Sequence, residues 1–141
     1  MALPDPRPGL VIRYDYLWRR EQTAGRDLGK ERPSCLVAAS DAAASPRFVV
    51  LLPITHSPPD AETVGIEIPA EVRQRIGLDD APSWIVISEH NVDEWPNGGL
   101  APLPGRPNVF SYGFIPPSLF SKVKAAFLDL AVKKKSDGVR R

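Results

Sequence analysis

The sequence contains one cysteine and two histidines among 141 residues, and it has no long apolar run. Cys35 has no second cysteine to pair with inside the chain, which is typical of proteins from a reducing compartment, so we predict a cytoplasmic protein. The apolar run over residues 48–52 is far too short to span a bilayer, and the first ten residues lack a basic segment followed by an apolar stretch. We therefore expect no membrane segment and no secretory signal.

Several chemistries lack the residues that they need. The single cysteine and the two distant histidines do not have the spacing of metal ligands, so we predict neither a metal nor another cofactor. The chain has no glycine-rich loop of the P-loop or dinucleotide-binding kind and no Gly-x-Ser-x-Gly sequence. The net charge is +1, although residues 122–141 carry seven basic and two acidic side chains. The overall basic field of a general nucleic-acid binder is therefore absent.

Proline, by contrast, is abundant, with 16 residues, roughly twice the ordinary share. Because proline interrupts regular structure, this predicts many short strands and structured loops rather than a helical bundle. Apolar runs predict five strands over residues 10–18, 35–40, 48–55, 64–69 and 83–88, the second of them beginning at Cys35. Two helices are predicted, a short one near 69–77 and a C-terminal one near 117–133.

These elements favour a mainly β fold, an SH3-like barrel of about five to seven antiparallel strands with the two helices appended. The length predicts a single domain over residues 1–141. We expect its core to span residues 9–133, with tails at 1–8 and 134–141. The polar stretch over residues 19–32 is long for a connection between strands, and the segments that follow residues 88 and 100 are predicted to be a polar turn and an irregular loop.

Three places carry side chains suited to chemistry. Arg32 precedes Pro33, which biases it to extended backbone, and its guanidinium can bind a phosphate with two parallel hydrogen bonds. Thr55 and His56 follow a buried strand, and Glu89, His90 and Asn91 follow another. A histidine or a carboxylate can transfer protons near neutral pH. Each place also has a structural interpretation, namely an arginine paired with a carboxylate, a capped strand end, and an exposed acidic loop.

The order of these pieces resembles the MazF/PemK family of bacterial toxins. The matching segments are "GLVIRYDYLW", "GKERPSCLVAAS", "VVLLPITHS" and "GLDDAPSWIVISEHN", which together cover residues 9 to about 95. The resemblance implies an SH3-like barrel, usually a homodimer, that cleaves single-stranded RNA without a metal and is neutralised by a cognate antitoxin. By position in the motifs, Arg32 matches the active-site arginine of the family and Thr55 its active-site threonine.

On this resemblance, the 2′-hydroxyl of the RNA attacks the neighbouring phosphorus. Arg32 would then stabilise the charged intermediate, Thr55 would orient the phosphate, and His56 or His90 would be the base. The segment over residues 19–31 would fold over the RNA. The expected RNA-binding residues are Trp18, Arg19, Arg20, Arg26, Lys30, Glu89 and Asn91.

One departure from the family pattern leaves alternatives open. Many members carry a Gln-x-Arg element after the late strand, where this chain has Glu89, His90 and Asn91. The loss of that arginine removes one expected phosphate contact and adds a negative charge. The alternatives to a ribonuclease are a non-catalytic binding module on the same barrel, such as a toxin that poisons a DNA gyrase by protein contact, or an inactive remnant.

Overall fold

Three long strands form the centre of a mainly antiparallel sheet. β1 (Leu10–Tyr16) pairs with β2 (Lys30–Ala39), which pairs with β3 (Arg47–Thr55). The computed structural model describes residues 3–26, 29–133 and 137–141, and within these ranges the sheet has nine strands accompanied by three helices. The predicted mainly β, barrel-like fold with appended helices is confirmed.

Short strands complete both edges of this centre. β3 pairs along its first part with one strand and at its end with another, and β1 does the same on the opposite edge. These further strands are β4 (Gly65–Glu67), β5 (Trp84–Val86), β6 (Glu89–Trp95), β7 (Leu100–Ala101) and β8 (Ser111–Phe114), and β9 (Asp137–Arg140) adds to β6 in parallel.

Prolines lie at the start of two of the three helices, and a glycine ends one of them. α1 (Arg19–Thr23) follows β1 directly, α2 (Ala70–Ile76) begins after Pro69, and α3 (Pro117–Val132) has a proline in its first turn. Gly77 ends α2 in the left-handed region with φ of 78°, where a side chain would be strained. The two predicted helices are therefore confirmed. No helix within the described ranges has the length and apolar character needed to cross a membrane.

Each face of the sheet carries its own apolar cluster. On the first face, side chains of all three central strands pack beneath α2 and α3, with Val72, Val123 and Phe127 among the contacts. The second face carries alternate residues of the same strands, including Tyr14, Tyr16, Trp18, Leu36 and Leu51. Because successive residues of a strand face opposite sides, the face of every site residue follows from its register. We call these the helix face and the tyrosine face.

Four sequence-based predictions are corrected by the pairing. The described strands number nine, not five to seven, and β2 begins at Lys30 rather than at Cys35, because Tyr16 pairs with Lys30 at the end of β1. The predicted polar turn after residue 88 is β6, which pairs with β3 despite its charged side chains. The irregular loop after residue 100 contains β7 and β8, whose partner is β1. All of these strands are stabilised by partners distant in sequence.

The predicted C-terminal tail over residues 134–141 is also wrong where it is described. β9 pairs with β6, and Val139 is fully buried beneath this pairing. Arg141 donates hydrogen bonds from its guanidinium to the Tyr14 hydroxyl at 3.1 Å and to the carbonyl oxygen of Asp15. One buried apolar side chain and a seated arginine therefore fix the chain end, although the segment is short and polar.

Candidate functional site

Arg32 and Thr55 lie at the same end of two neighbouring strands. The last paired residues of β2 and β3 are Ser34 and Pro53, and the two site residues each stand two positions further along. Since strand side chains alternate with a period of two, both project on the tyrosine face. The sheet thus brings together, at one end, a guanidinium and a hydroxyl that are 23 residues apart in sequence.

Gly29 explains the first position of the "GKERP" motif. A Cβ added at Gly29 would overlap the carbonyl oxygen of Tyr16, so only glycine permits β2 to start this close to the end of β1. The close approach starts the register in which Tyr16 pairs with Lys30 and Tyr14 with Arg32. The glycine therefore sets the position of Arg32 relative to β1.

The Arg32 guanidinium is half-buried and lies over the indole ring of Trp18, with 5.0 Å from Cζ to the ring centroid. Arg20 lies 5.1 Å from the same centroid, so two cations flank one aromatic ring. Burial lowers the pKa of Arg32, and the nearby Glu21 opposes that shift. No carboxylate oxygen of the described residues lies within salt-bridge distance of Arg32. The charge of Arg32 is therefore balanced only at longer range.

Two nitrogen atoms of this cluster are buried without a hydrogen-bond acceptor. Nε of Arg32 and Nε1 of Trp18 have no partner among the described residues. A buried donor that lacks an acceptor costs about 1–3 kcal/mol. Such atoms persist where a ligand supplies the acceptor or where function requires the strain. The two donors therefore carry a cost in the folded protein that a hydrogen-bond acceptor at this place would relieve.

Glu89 lies on the tyrosine face, like Arg32, and hydrogen bonds fix its carboxylate. Its Oε2 accepts hydrogen bonds from the Tyr16 hydroxyl at 3.1 Å and from the backbone N–H of Arg19 at 3.1 Å. Burial raises the pKa of Glu89, while those hydrogen bonds and the charge of Arg20 act in the opposite direction. A fixed carboxylate with a raised pKa beside cationic groups has the properties of a general base.

Thr55 carries a hydroxyl that is partly used. Its Oγ1 accepts a hydrogen bond from the backbone N–H of Ser57 at 3.1 Å, which fixes the oxygen and leaves its hydrogen free for donation. Trp84 pairs with Thr55 across the strands, and both side chains are half-buried. The hydroxyl is thus a positioned donor at the strand end.

The structure does not bring either histidine to Arg32. His90 alternates with Glu89 on β6 and therefore faces the helices, where its ring meets Phe127 edge to face at 5.2 Å. Burial lowers the pKa of His90. His56 lies in a separate cleft, with Nε2 2.9 Å from Oδ2 of Asp79. His90 directly follows Glu89 and His56 directly follows Thr55, and both rings lie on the helix face, whereas Arg32 lies on the tyrosine face.

Asn91 has a structural role in place of the predicted RNA contact. It is fully buried, its Oδ1 accepts from the Leu17 N–H at 2.9 Å, and its Nδ2 donates to the Leu17 carbonyl at 2.8 Å. Arg141 also donates to Oδ1, at 3.3 Å. Asn91 therefore fixes the backbone of Leu17, between β1 and α1, and with it the position of Trp18, the next residue.

The predicted RNA-binding residues between β1 and β2 do not form one loop: Trp18 precedes α1, Arg19 and Arg20 lie in α1, and Lys30 begins β2. Trp18 is only 8% exposed and is covered by guanidinium groups, so it supports the arginines and is not an open stacking surface. Four of the predicted cations are exposed, namely Arg19, Arg20, Arg26 and Lys30. Arg19 pairs with Asp137 at 2.6 Å, and Arg26 pairs with Glu21 at 3.2 Å. Of these four, Arg20 contacts the Trp18 ring of the site.

Sequence reasoning missed Tyr16 and Glu21 as parts of the site. Tyr16 was predicted only as a strand residue, yet its hydroxyl fixes Glu89. Glu21 accepts the Trp18 backbone N–H at 3.1 Å and thereby starts α1. The spacing of Trp18 and Glu21, three residues apart, is the one local signal that could have indicated this helix start.

Comparison with known proteins adds no further support: no family model, no curated protein and no solved structure matches this chain.

Proposed function

We propose that the chain is a metal-independent endoribonuclease that cleaves single-stranded RNA and acts as the toxin of a toxin–antitoxin pair. The observation that carries this is the half-buried Arg32, which stacks on Trp18 with an unused Nε–H and shares one sheet face with the Thr55 hydroxyl. A guanidinium suits a phosphodiester because its parallel donors match two phosphate oxygens. The toxin role brings with it a cognate antitoxin and a homodimer, as the resemblance to MazF/PemK toxins implies.

The proposed reaction needs no nucleophile from the protein. The 2′-oxygen of the RNA attacks the adjacent phosphorus and forms an O2′–P bond, and the P–O5′ bond breaks. Arg32 stabilises the negative charge that develops on the phosphorane, and the Thr55 hydroxyl donates to a non-bridging oxygen. Arg32 then gives a proton to the leaving O5′, a step favoured by its lowered pKa. Solvent returns to Arg32 the proton that the base took from the 2′-hydroxyl, so both groups are restored. The products are a 2′,3′-cyclic phosphate and a 5′-hydroxyl.

Glu89 is the general base in this proposal, in place of the histidine that was predicted from the sequence. Its carboxylate accepts the proton of the attacking 2′-hydroxyl, since it is on the face of Arg32 and is oriented by Tyr16 and the Arg19 amide. The charge of Glu89 and that of Arg32 influence each other, as the causes of the Arg32 pKa shift include Glu89. The departure from the Gln-x-Arg pattern of the family thus supplies a base in this chain.

The experiment that tests the function is RNA digestion in the presence of EDTA. We expect a labelled single-stranded RNA to be cut with a 2′,3′-cyclic phosphate at the new end. Once the cut is mapped, the same strand with one 2′-deoxy nucleotide on the 5′ side of that cut is expected to remain intact there, because the attacking oxygen is missing. Lack of cleavage, or cleavage at the deoxy position, would rule out the proposed reaction. RNA binding without cleavage would instead favour a non-catalytic module.

Glu89→Gln tests the base through the pH dependence of the rate. Burial raises the pKa of Glu89 above 4.5, and the base acts only when deprotonated. The rate of wild type is therefore expected to increase with pH and to reach half its plateau above pH 4.5. Glutamine keeps the shape but cannot take the proton, so kcat should fall by about a hundredfold or more and the increase should vanish.

The matched control for this experiment is Glu31→Gln, which changes an exposed carboxylate next to Arg32. We expect its rate and pH profile to follow wild type. A Glu89→Gln variant that kept the same rise in rate with pH would show that another group is the base.

A further inference from the structure

A concave site opens on the helix face, at the end of the sheet where Arg32 and Thr55 lie. It is a cleft of about 370 Å³, which is within the range of small-ligand pockets. Pro33 and Ile54 line it, and these residues directly adjoin Arg32 and Thr55 in the chain. The cleft and the proposed cleavage site are thus separated only by the ends of β2 and β3. We name it the Arg106 cleft.

Two arginines line the Arg106 cleft, together with Asp79 and His56. Arg13 pairs with Glu31 at 4.0 Å, so Arg106 is the arginine of the lining whose charge is available to a ligand. Arg106 is exposed, and no described carboxylate lies within salt-bridge distance of it. Its backbone is fixed in a tight turn by hydrogen bonds with Leu103 and Val109. An arginine held this way can bind a phosphate.

The opposite wall offers groups that can recognise a base. The Nδ1 of His56 is 2.9 Å from the carbonyl oxygen of Pro82, which only accepts, so Nδ1 carries a proton. The Asp79 carboxylate lies 2.9 Å from Nε2 of His56 and accepts a hydrogen bond from the Ala81 N–H at 3.1 Å. Its remaining lone pairs can accept from the amino or imino group of a base. Tyr112 adds an aromatic ring, on which bases stack.

A hydrolytic triad is excluded by the contacts of Ser83. Its hydroxyl is 3.3 Å from Nδ1 of His56, but that nitrogen already donates to the Pro82 carbonyl and cannot take the serine proton. Ser83 is also 1% exposed and donates to the carbonyl oxygen of Ala81 at 3.1 Å. The Arg106 cleft is therefore suited to binding rather than to nucleophilic catalysis.

We infer that the Arg106 cleft binds a nucleotide of the substrate RNA flanking the scissile phosphate, with Arg106 on its phosphate and Asp79 on the donor edge of its base. This inference rests on the proposed ribonuclease function and extends it to sequence preference. Three observations argue for this occupant: the unpaired charge of Arg106 suits a phosphate, the Tyr112 ring suits a base, and Pro33 and Ile54 place the cleft next to Arg32 and Thr55 in the chain.

The test measures steady-state cleavage of an RNA by Arg106→Ala and Asp79→Asn. Loss of one arginine–phosphate contact is expected to raise KM about tenfold or more, with the effect on KM rather than on kcat. Asp79→Asn keeps the size of the side chain but replaces one of its two hydrogen-bond-accepting oxygens with a donating NH₂ group. This variant should therefore alter which base is preferred next to the cut. The matched control is Arg75→Ala, an exposed arginine on α2 outside both sites, which should leave KM and base preference unchanged.

The outcomes separate this inference from the proposed function. Cleavage with unchanged KM and unchanged base preference in both variants would overturn the cleft and leave the ribonuclease intact. If wild type cuts no RNA, titration with 5′-nucleoside monophosphates decides: binding that Arg106→Ala weakens at least tenfold supports the cleft without the nuclease. No binding, or binding that Arg106→Ala leaves unchanged, would overturn the cleft too.

Discussion

Replacement of Arg32 by alanine is expected to lower kcat for RNA cleavage by about a thousandfold, the usual cost of removing a group that stabilises charge in the transition state. Arg32→Lys keeps the charge but loses the parallel donors and the planar stacking on Trp18. Lysine should therefore recover only part of the rate. The measurement is single-turnover cleavage of a labelled RNA, with Arg75→Ala as the control for removal of an exposed arginine.

Thermal or urea unfolding of Arg32→Ala distinguishes a functional from a structural arginine. Burial disfavours the charged form of Arg32, and Nε lacks an acceptor, so the folded protein gains little from this side chain beyond its contact with Trp18. The free energy of unfolding should change by less than about 1 kcal/mol. An Arg32→Ala variant with full activity would refute the site, and one that lost activity only because it unfolded would show that Arg32 is structural.

The elements predictable from the sequence are those with local signals. α2 is delimited by Pro69 and Gly77, and α3 by its prolines and its apolar spacing. β3 is a continuous apolar run that ends at Thr55. In each case the information lies within a few residues of the element, so no knowledge of distant partners is needed.

The elements that were missed depend on partners far along the chain. β6 contains five charged or polar side chains before Trp95, and its stability comes from pairing with β3 and β9. β9 follows the same rule, since the burial of Val139 depends on a strand about 50 residues earlier. Period-two patterns indicate which residues share a face but not which strands lie side by side.

The candidate site shows the same division. The motif "GKERP" and the strand end at Thr55 located the arginine and the hydroxyl, and the register of β2 and β3 puts both on one face. The histidines were chosen because imidazole titrates near neutral pH, yet each occupies the neighbouring position and so faces the other way. Glu89 was predicted as an RNA contact and a histidine as the base, because the Tyr16 hydroxyl that orients the Glu89 carboxylate is 73 residues distant.

Asn91→Ala is expected to cause the largest loss of stability of any single change considered for this chain. Alanine would leave the buried N–H and carbonyl of Leu17 without partners, since both are hydrogen-bonded to the Asn91 amide. Each unsatisfied buried group costs about 1–3 kcal/mol, so the free energy of unfolding should fall by about 3 kcal/mol. Urea unfolding measures this loss, and Asn108→Ala, which truncates an exposed asparagine, should have an effect within about 0.5 kcal/mol.

The same change should act on the site through the position of Trp18. Asn91 fixes Leu17, and Leu17 precedes the ring on which Arg20 and Arg32 stack. We therefore expect Asn91→Ala to speed hydrogen exchange of the Leu17 amide and to lower kcat for RNA under conditions where the variant is still folded. Unchanged stability together with an unchanged exchange rate at Leu17 would contradict this role, because the two hydrogen bonds would then contribute nothing to the corner between β1 and α1.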